Sequence, residues 1–341
     1  MRWTLCCRVV DNFGDLGVAW RLAADRAARG ENVRLAVDDA SALQWMAPAG
    51  ATGVEVVAWD AAVSGPVDVV VELFGAGLPR SAVDASAVRI NVEHLSGESY
   101  VERSHGLPRG AGAACTWYYF PGFVRATGGL LREPSLLAAR RGFGDGTEWL
   151  RSRGLDVQAG ERRVSLFCYD NDALAEAVEA LAAEPTLLLA APGDAARQVR
   201  DLLGPRLRRG DLRAIELAYL TQTDFDRLLW SCDLNFVRGE DSVVRAIWAG
   251  APFVWQLYRQ DDGAHRAKLD AFLGRLLGAT DPPLAAIVRA AFERWNGMRI
   301  DAPVALAPLG AWAKVVEAWR DTLAMQADLT SQLIGFAASK R

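Results

Sequence analysis

No stretch of the 341 residues stays apolar long enough to cross a bilayer. The longest run, 67–73, is interrupted by Asp68 and Glu72 and falls far short of the ~20 residues a spanning helix needs. There is no basic tract either. Lys and Arg number 38 against 42 Asp and Glu, a formal net charge of −4, which argues against a surface built mainly for nucleic acid. The five cysteines, at 6, 7, 115, 168 and 232, show neither CxxC nor Cys/His ligand spacing. Four sit in apolar or aromatic surroundings, so buried thiols in a reducing cytoplasm are expected rather than a disulfide framework. His94, His105 and His265 are scattered, and no metal triad follows from them. The first ten residues end in an acidic turn where a leader would carry small residues, and they read as a first strand. What is present is ordinary: 51% hydrophobic and 23% charged residues, too apolar for a disordered chain and enough for a core in each of two domains.

Short apolar runs alternate with helical patterns, which predicts α/β architecture with parallel sheets. In the first half, strands are expected at Trp3–Val10, Val33–Val37, Gly53–Ala58, Val67–Leu73 and Val88–Val92, with a helix over Val18–Arg29 closed by Gly30. The polar, glycine-rich stretch 140–160 places a domain boundary near 155. Beyond it the rhythm returns: strands at Val164–Cys168, Thr186–Ala190, Leu212–Leu217, Asp233–Val237 and Pro252–Leu257, and helices at Asp170–Ala183, Thr223–Ser231 and Ser242–Ala249. Leu309–Ala337 reads as one long amphipathic pattern, either a capping helix of the second half or, the reading favoured for 311–341, a helix returning to the first domain. Two doubly wound, Rossmann-like domains, 1–155 and 156–310, should face each other across a cleft, with ligands at the carboxyl ends of the strands.

Two turns stand out. Asp11-Asn12-Phe13-Gly14-Asp15-Leu16-Gly17 joins the first strand to the first helix. Gly14 and Gly17 permit a tight backbone, and two carboxylates four residues apart can converge. Each acid alone also suits a local role, Asp15 as a helix cap and Asp11 in an Asx turn. The turn lacks the Lys-Ser/Thr of a phosphate loop, and its paired acids would attract a cation. Arg238-Gly239-Glu240-Asp241-Ser242 is the corresponding turn of the second half. There Asp241 or Ser242 can cap the following helix, whose first N–H groups, with Arg238, could hold a diphosphate without metal. Glu240 could accept hydrogen bonds from sugar hydroxyls. Tyr219 and Gln222, near a strand end, could stack on a nucleobase and read its edge. Asp170-Asn171-Asp172 spells a metal-binding DxD but precedes a helix, where capping explains it better. Gly75-Ala76-Gly77 is too short for a dinucleotide fingerprint.

Taken together, several blocks resemble the bacterial protein-arginine rhamnosyltransferase family that modifies elongation factor P (the EarP family). They are DNFGDxG, Glu72-Leu73-Phe74-Gly75, His105-Gly106-Leu107-Pro108, Phe120-Pro121-Gly122-Phe123 with Thr127–Glu133, and RGEDS followed by Trp248-Ala249-Gly250 and Pro252-Phe253-Val254-Trp255. The resemblance runs from about residue 2 to the C-terminal helix. It implies a GT-B fold with an N-terminal acceptor domain and a C-terminal donor domain. It also implies transfer of L-rhamnose from dTDP-β-L-rhamnose to one arginine of elongation factor P, inverting the anomeric centre and using no metal. Asp11 and Asp15 match the two functional aspartates, with Asp15 favoured over Asp11 as the base and the choice between them left open by the sequence. Glu240, Asp241 and Ser242 match the donor turn, Tyr219 and Gln222 the thymine contacts, and Tyr169 a further donor contact. Two positions depart from the family pattern: Tyr219 stands where Phe is expected, and His94 where Tyr is expected.

Elementary chemistry agrees. A guanidinium has a pKa above ~12 and delocalised lone pairs, so its glycosylation needs carboxylates that orient it and accept a proton as the C–N bond forms. Two rival readings are a GT-B glycosyltransferase acting on a small-molecule or cell-surface acceptor and a nucleotide-binding protein without catalysis. The second leaves Asp11 and Asp15 without a task. A dehydrogenase reading rests on the glycines at 75 and 77 alone.

Overall fold

The computed structural model describes residues 1–10, 13–59, 66–78, 87–110, 115–259, 263–299 and 306–341. It divides the chain into two units, Met1–Pro134 with Thr322–Arg341, and Ser135–Asp321. Unit one runs β1 (Arg2–Cys7), α1 (Gly14–Ala28), β2 (Asn32–Val37), α2 (Leu43–Met46), β3 (Val54–Ala58), β4 (Val69–Leu73), β5 (Val88–Val92), α3 (Ser99–Ser104), β6 (Pro108–Arg109) and β7 (Thr116–Tyr119). Among the described residues its sheet has the order β3-β2-β1-β4-β5-β7-β6, parallel except for β6 against β7.

Unit two runs α4 (Leu136–Gly142), α5 (Thr147–Ser152), β8 (Arg162–Leu166), α6 (Leu174–Leu181), β9 (Thr186–Ala190), α7 (Asp194–Leu203), β10 (Arg208–Arg209), β11 (Leu212–Glu216), α8 (Gln222–Trp230), β12 (Leu234–Arg238), α9 (Gly239–Ala249), β13 (Phe253–Gln256), α10 (Ala264–Leu277), α11 (Pro282–Trp295) and most of α12 (Leu309–Ala324), in whose last turn the division at Asp321 falls. Its sheet has the order β10-β11-β9-β8-β12-β13, parallel except for β10 against β11. A last helix, α13 (Leu329–Ala338), belongs to unit one.

The strands are apolar on both faces because both faces are covered. In β1, Trp3, Leu5 and Cys7 point into one core with Leu16, Ala19 and Trp20 of α1, while Cys6 points to the opposite side with Ala36 and Val70. Leu329, Leu333 and Ala337 of α13, spaced four apart, put one stripe of that helix into the same core as α1. Each fully buried leucine contributes roughly 1.5–3 kcal/mol. Arg29 fastens the contact, bonding Asp25 and Asp328 at 2.9 Å each and the Ser331 hydroxyl at 2.6 Å.

Three expectations need correction. The division falls at Pro134, not near 155. Residues 135–157 pack on the second sheet: Leu150 and Val157 enter a core with Leu187, Leu189 and Leu228, and Arg140 Nε donates to the Ala249 carbonyl at 3.1 Å. The amphipathic stretch 309–337 is two helices, because Asp328 caps α13 by accepting the Ser331 N–H (2.9 Å) and Arg132 takes up the Ala324 and Gln326 carbonyls. The first strand ends at Cys7 rather than Val10, so its following turn begins earlier. Helices α7, α10 and α11 add to those expected from the pattern.

Candidate active site

In each sheet the strand order reverses direction at one point, between β1 and β4 in unit one and between β8 and β12 in unit two. Open α/β sheets bind ligands at the carboxyl ends of the strands flanking such a point. Both candidate turns lie there.

In unit one the turn after β1 leads into α1, whose N-cap is Phe13, without a side-chain cap bond. Asp15 is therefore not the N-cap. It sits in the first turn of the helix, where the macrodipole favours a carboxylate. It is 8% exposed, and its Oδ2 accepts the Val10 N–H at 2.9 Å. Asp38 does the same for the Val9 N–H at 2.9 Å. Gly14 opens α1, the Gly17 N–H donates to the Phe13 carbonyl, and the Phe13 ring packs edge-on against Trp45 at 5.0 Å. Phe13 is thus a packing residue. Asp11 and Asn12 lie outside the described residues.

Across the switch point, Phe74 follows β4 with φ of +61°, a left-handed conformation that costs a side-chain-bearing residue of order 1 kcal/mol or more. Its ring stacks on His94 at 4.7 Å and 16°. His94, one of the two positions that depart from the expected pattern, thus completes an aromatic pair with the residue that follows β4.

In unit two, α9 begins at Gly239, whose φ of +69° glycine adopts freely, and Arg238 is its N-cap without a side-chain cap bond. The expectation that Asp241 or Ser242 caps this helix is overturned. The helix starts earlier, and the Ser242 hydroxyl donates backwards to the Arg238 carbonyl. The turn itself is held by Trp255, whose Nε1 donates to the Gly239 carbonyl at 3.0 Å. Glu240 Oε1 accepts from Lys268 Nζ of α10 at 2.8 Å, and both side chains are mostly buried. Asp241 is half-buried in the first turn.

Arg238 does not stand alone as a cation awaiting an anion. It is 7% exposed, pairs with Asp194 at 3.1 Å, and lies over the rings of Phe167 and Tyr169 at 4.6 and 4.3 Å. The Tyr169 N–H donates to Gln256 Oε1 (2.9 Å), and its ring meets Tyr258 edge-on at 5.7 Å. Gln222 is buried as the first residue of α8, behind an N-cap Thr221 whose hydroxyl accepts the Asp224 N–H (3.1 Å), while Tyr219 is half exposed. Helices α8 and α9 are joined by a buried, two-pronged ion pair, Arg245 to Asp226 at 2.8 and 2.7 Å.

Sequence reasoning missed Phe167, Asp194, Phe225, Tyr258 and Lys268. A signal existed for Asp194, because Ala191-Pro192-Gly193-Asp194 is a third strand-to-helix turn at the same sheet edge. Phe225 packs edge-on against Phe167 at 5.8 Å, and neither position shows that from spacing alone.

The DxD has another occupation. Asp170 pairs with Arg197, and Asn171 Oδ1 accepts the Ala173 N–H at 2.9 Å, so the residues before α6 form a turn rather than its cap. Among the described residues no group of three or more His, Cys, Asp or Glu could hold a metal ion, and no helix is long and apolar enough to cross a membrane. All five cysteines are free, and Cys6, Cys7, Cys168 and Cys232 are buried. Burial pushes the thiols of Cys6 and Cys168 up to about 12, so both stay protonated and poor nucleophiles.

Two doubly wound units with largely parallel sheets, each with a strand-to-helix turn at its switch point, have the GT-B glycosyltransferase fold. The glycosyltransferase VinC shares it, with a TM-score of 0.55 over 100% of both chains at 14% identity. Residues 3–338 match the family described as Elongation-Factor P (EF-P) rhamnosyltransferase EarP. The protein-arginine rhamnosyltransferase of Pseudomonas aeruginosa is 40% identical over 98% of both chains. A solved structure described as the structural basis for EarP-mediated arginine glycosylation of translation elongation factor EF-P superposes with a TM-score of 0.73 at 32% identity, covering 100% of this chain and 99% of that one. The chain belongs to the EF-P rhamnosyltransferase EarP family and is a glycosyltransferase.

Proposed function

We propose that this enzyme transfers L-rhamnose from dTDP-β-L-rhamnose to an arginine side chain of elongation factor P, with inversion and without a metal ion. The observation that carries the reading is Asp15, a largely buried carboxylate at the first unit's switch point in a chain of this family. Asp11 is proposed as its companion.

A guanidinium nitrogen attacks C1 of the sugar from the face opposite the diphosphate. The C1–O bond breaks, its electron pair goes to the phosphate oxygen, and a C1–N bond forms. One proton leaves the attacking nitrogen for Asp15, and the glycosylated guanidinium remains a cation. With a pKa above ~12 the free side chain would yield little neutral nucleophile to one carboxylate, so proton transfer is coupled to bond formation. The diphosphate's growing charge would meet Arg238 and the N-terminus of α9, whose first-turn N–H groups and dipole favour an anion. Tyr219, with Phe in the family pattern, keeps an aromatic face for the thymine, and Gln222 can read its edge. Tyr169 lies against the Arg238 guanidinium at 4.3 Å. Glu240 has Oε1 committed to Lys268, and a carboxylate so oriented can accept from sugar hydroxyls with its remaining lone pairs. Asp241 and Ser242 shape the first turn of α9.

Two tests belong to this reading. Glu240→Ala is expected to weaken calorimetric binding of dTDP-rhamnose about tenfold or more, the usual scale for hydrogen bonds to a charged group. Unchanged affinity would leave Glu240 as no more than a partner for Lys268. Turnover in excess EDTA is expected to match the untreated rate. Strong inhibition reversed by Mg²⁺ would reject the metal-free chemistry. The decisive assay mixes the enzyme with elongation factor P and dTDP-rhamnose and looks for the mass of one deoxyhexose on an arginine. If only small-molecule acceptors are modified, the protein-acceptor reading fails.

A further inference from the structure

Arg238 is held by a single nitrogen. Its Nη1 donates to the Cys168 carbonyl at 3.2 Å and to Asp194 Oδ2 at 3.1 Å, and among the described residues Nε and Nη2 meet no acceptor. Phe167 and Tyr169 lie against the guanidinium at 4.6 and 4.3 Å and limit its tilt. A cation only 7% exposed needs a counter-charge nearby, and Asp194 supplies it. Asp194 is itself steadied. It opens α7 just after Gly193, its other oxygen faces Arg197 at 3.5 Å, and Arg197 also pairs with Asp170.

We infer that Asp194 is a positioning residue for the donor, pinning Nη1 of Arg238 so that the Nε–Nη2 edge is presented to the diphosphate. That edge carries two parallel N–H groups, the geometry that matches two oxygens of one phosphate. Without the pin the guanidinium could rotate, and its fork would have to be reoriented at each binding event. The inference rests on the nucleotide-sugar reading above and adds a residue that would not itself touch the donor.

The test compares the full-length wild type with Asp194→Ala and Asp194→Asn, titrated calorimetrically with thymidine diphosphate and, by displacement, with thymidine. Asp194→Ala is expected to lose about tenfold or more of its affinity for the diphosphate, the scale of one charge-assisted hydrogen bond, while thymidine binds as before. Asp194→Asn keeps an oxygen within reach of Nη1 and is expected to recover most of the loss. Equal or tighter diphosphate binding by Asp194→Ala would overturn the inference, since Asp194 would then merely compete for Arg238. An equal loss for thymidine would overturn it too, by revealing a general structural role. If the wild type itself fails to bind thymidine diphosphate, the donor reading fails and the inference falls with it.

Discussion

Asp15→Asn is expected to lower the rate of sugar transfer by ~10²–10⁴-fold, the usual range for removing a general base, while donor affinity stays at the wild-type level. The substitution is mild for the fold. Asparagine keeps an oxygen that can accept the Val10 N–H now received by Asp15 at 2.9 Å, so the turn after β1 should hold its shape. On the proposed mechanism, what disappears is the charge that would orient a cationic acceptor and the basicity that would take its proton. The check is the initial rate of deoxyhexose addition to elongation factor P by intact mass, with a parallel titration of thymidine diphosphate. Transfer at near wild-type rate would remove Asp15 from the chemistry.

The largest expected effect on stability is at Arg245. Arg245→Met should cost ~3–5 kcal/mol, because it strips the buried Asp226 carboxylate of its two-pronged partner. In urea this appears as a lower midpoint with an unchanged slope. Replacing both residues, Asp226→Leu with Arg245→Met, should restore most of the loss, since no uncompensated charge then remains. The pair joins α8, which carries Gln222, to α9, which begins at the turn proposed to hold the donor. Its loss should therefore weaken nucleotide binding more than a distant core substitution of equal cost. A midpoint shift below about 1 kcal/mol for the single variant would contradict the account.

Much of this was readable from the sequence, for physical reasons. Parallel strands buried on both faces leave continuous apolar runs, so the strand cores of both sheets and the two turns at 11–17 and 238–242 could be placed by pattern. The ends were less legible. Pattern could not show that β1 stops at Cys7, because Val9 and Val10 are as apolar as the strand but bond Asp38 and Asp15 instead of a neighbouring strand. The boundary was misplaced because composition sees the glycines of 140–160 but not that Leu150 inserts into the second core. At the site, residue type gave the carboxylates and Arg238 but not their pairings. Asp194 and Lys268 act on residues 44 and 28 positions away in sequence, separations that no local pattern encodes.

The attachment of α13 to the first unit bears on the order in which the newly made chain matures. Unit two is one continuous segment and can form its core once residue 321 has emerged from the ribosome. Residues 1–134 emerge before unit two, yet their core lacks Leu329, Leu333 and Ala337 until the chain has been made through residue 337. Domains generally mature as they are synthesised, from the N-terminal side onward. Here the half that bears Asp15 should resist protease on stalled nascent chains only after unit two does, because part of its core is supplied by residues that follow all of unit two.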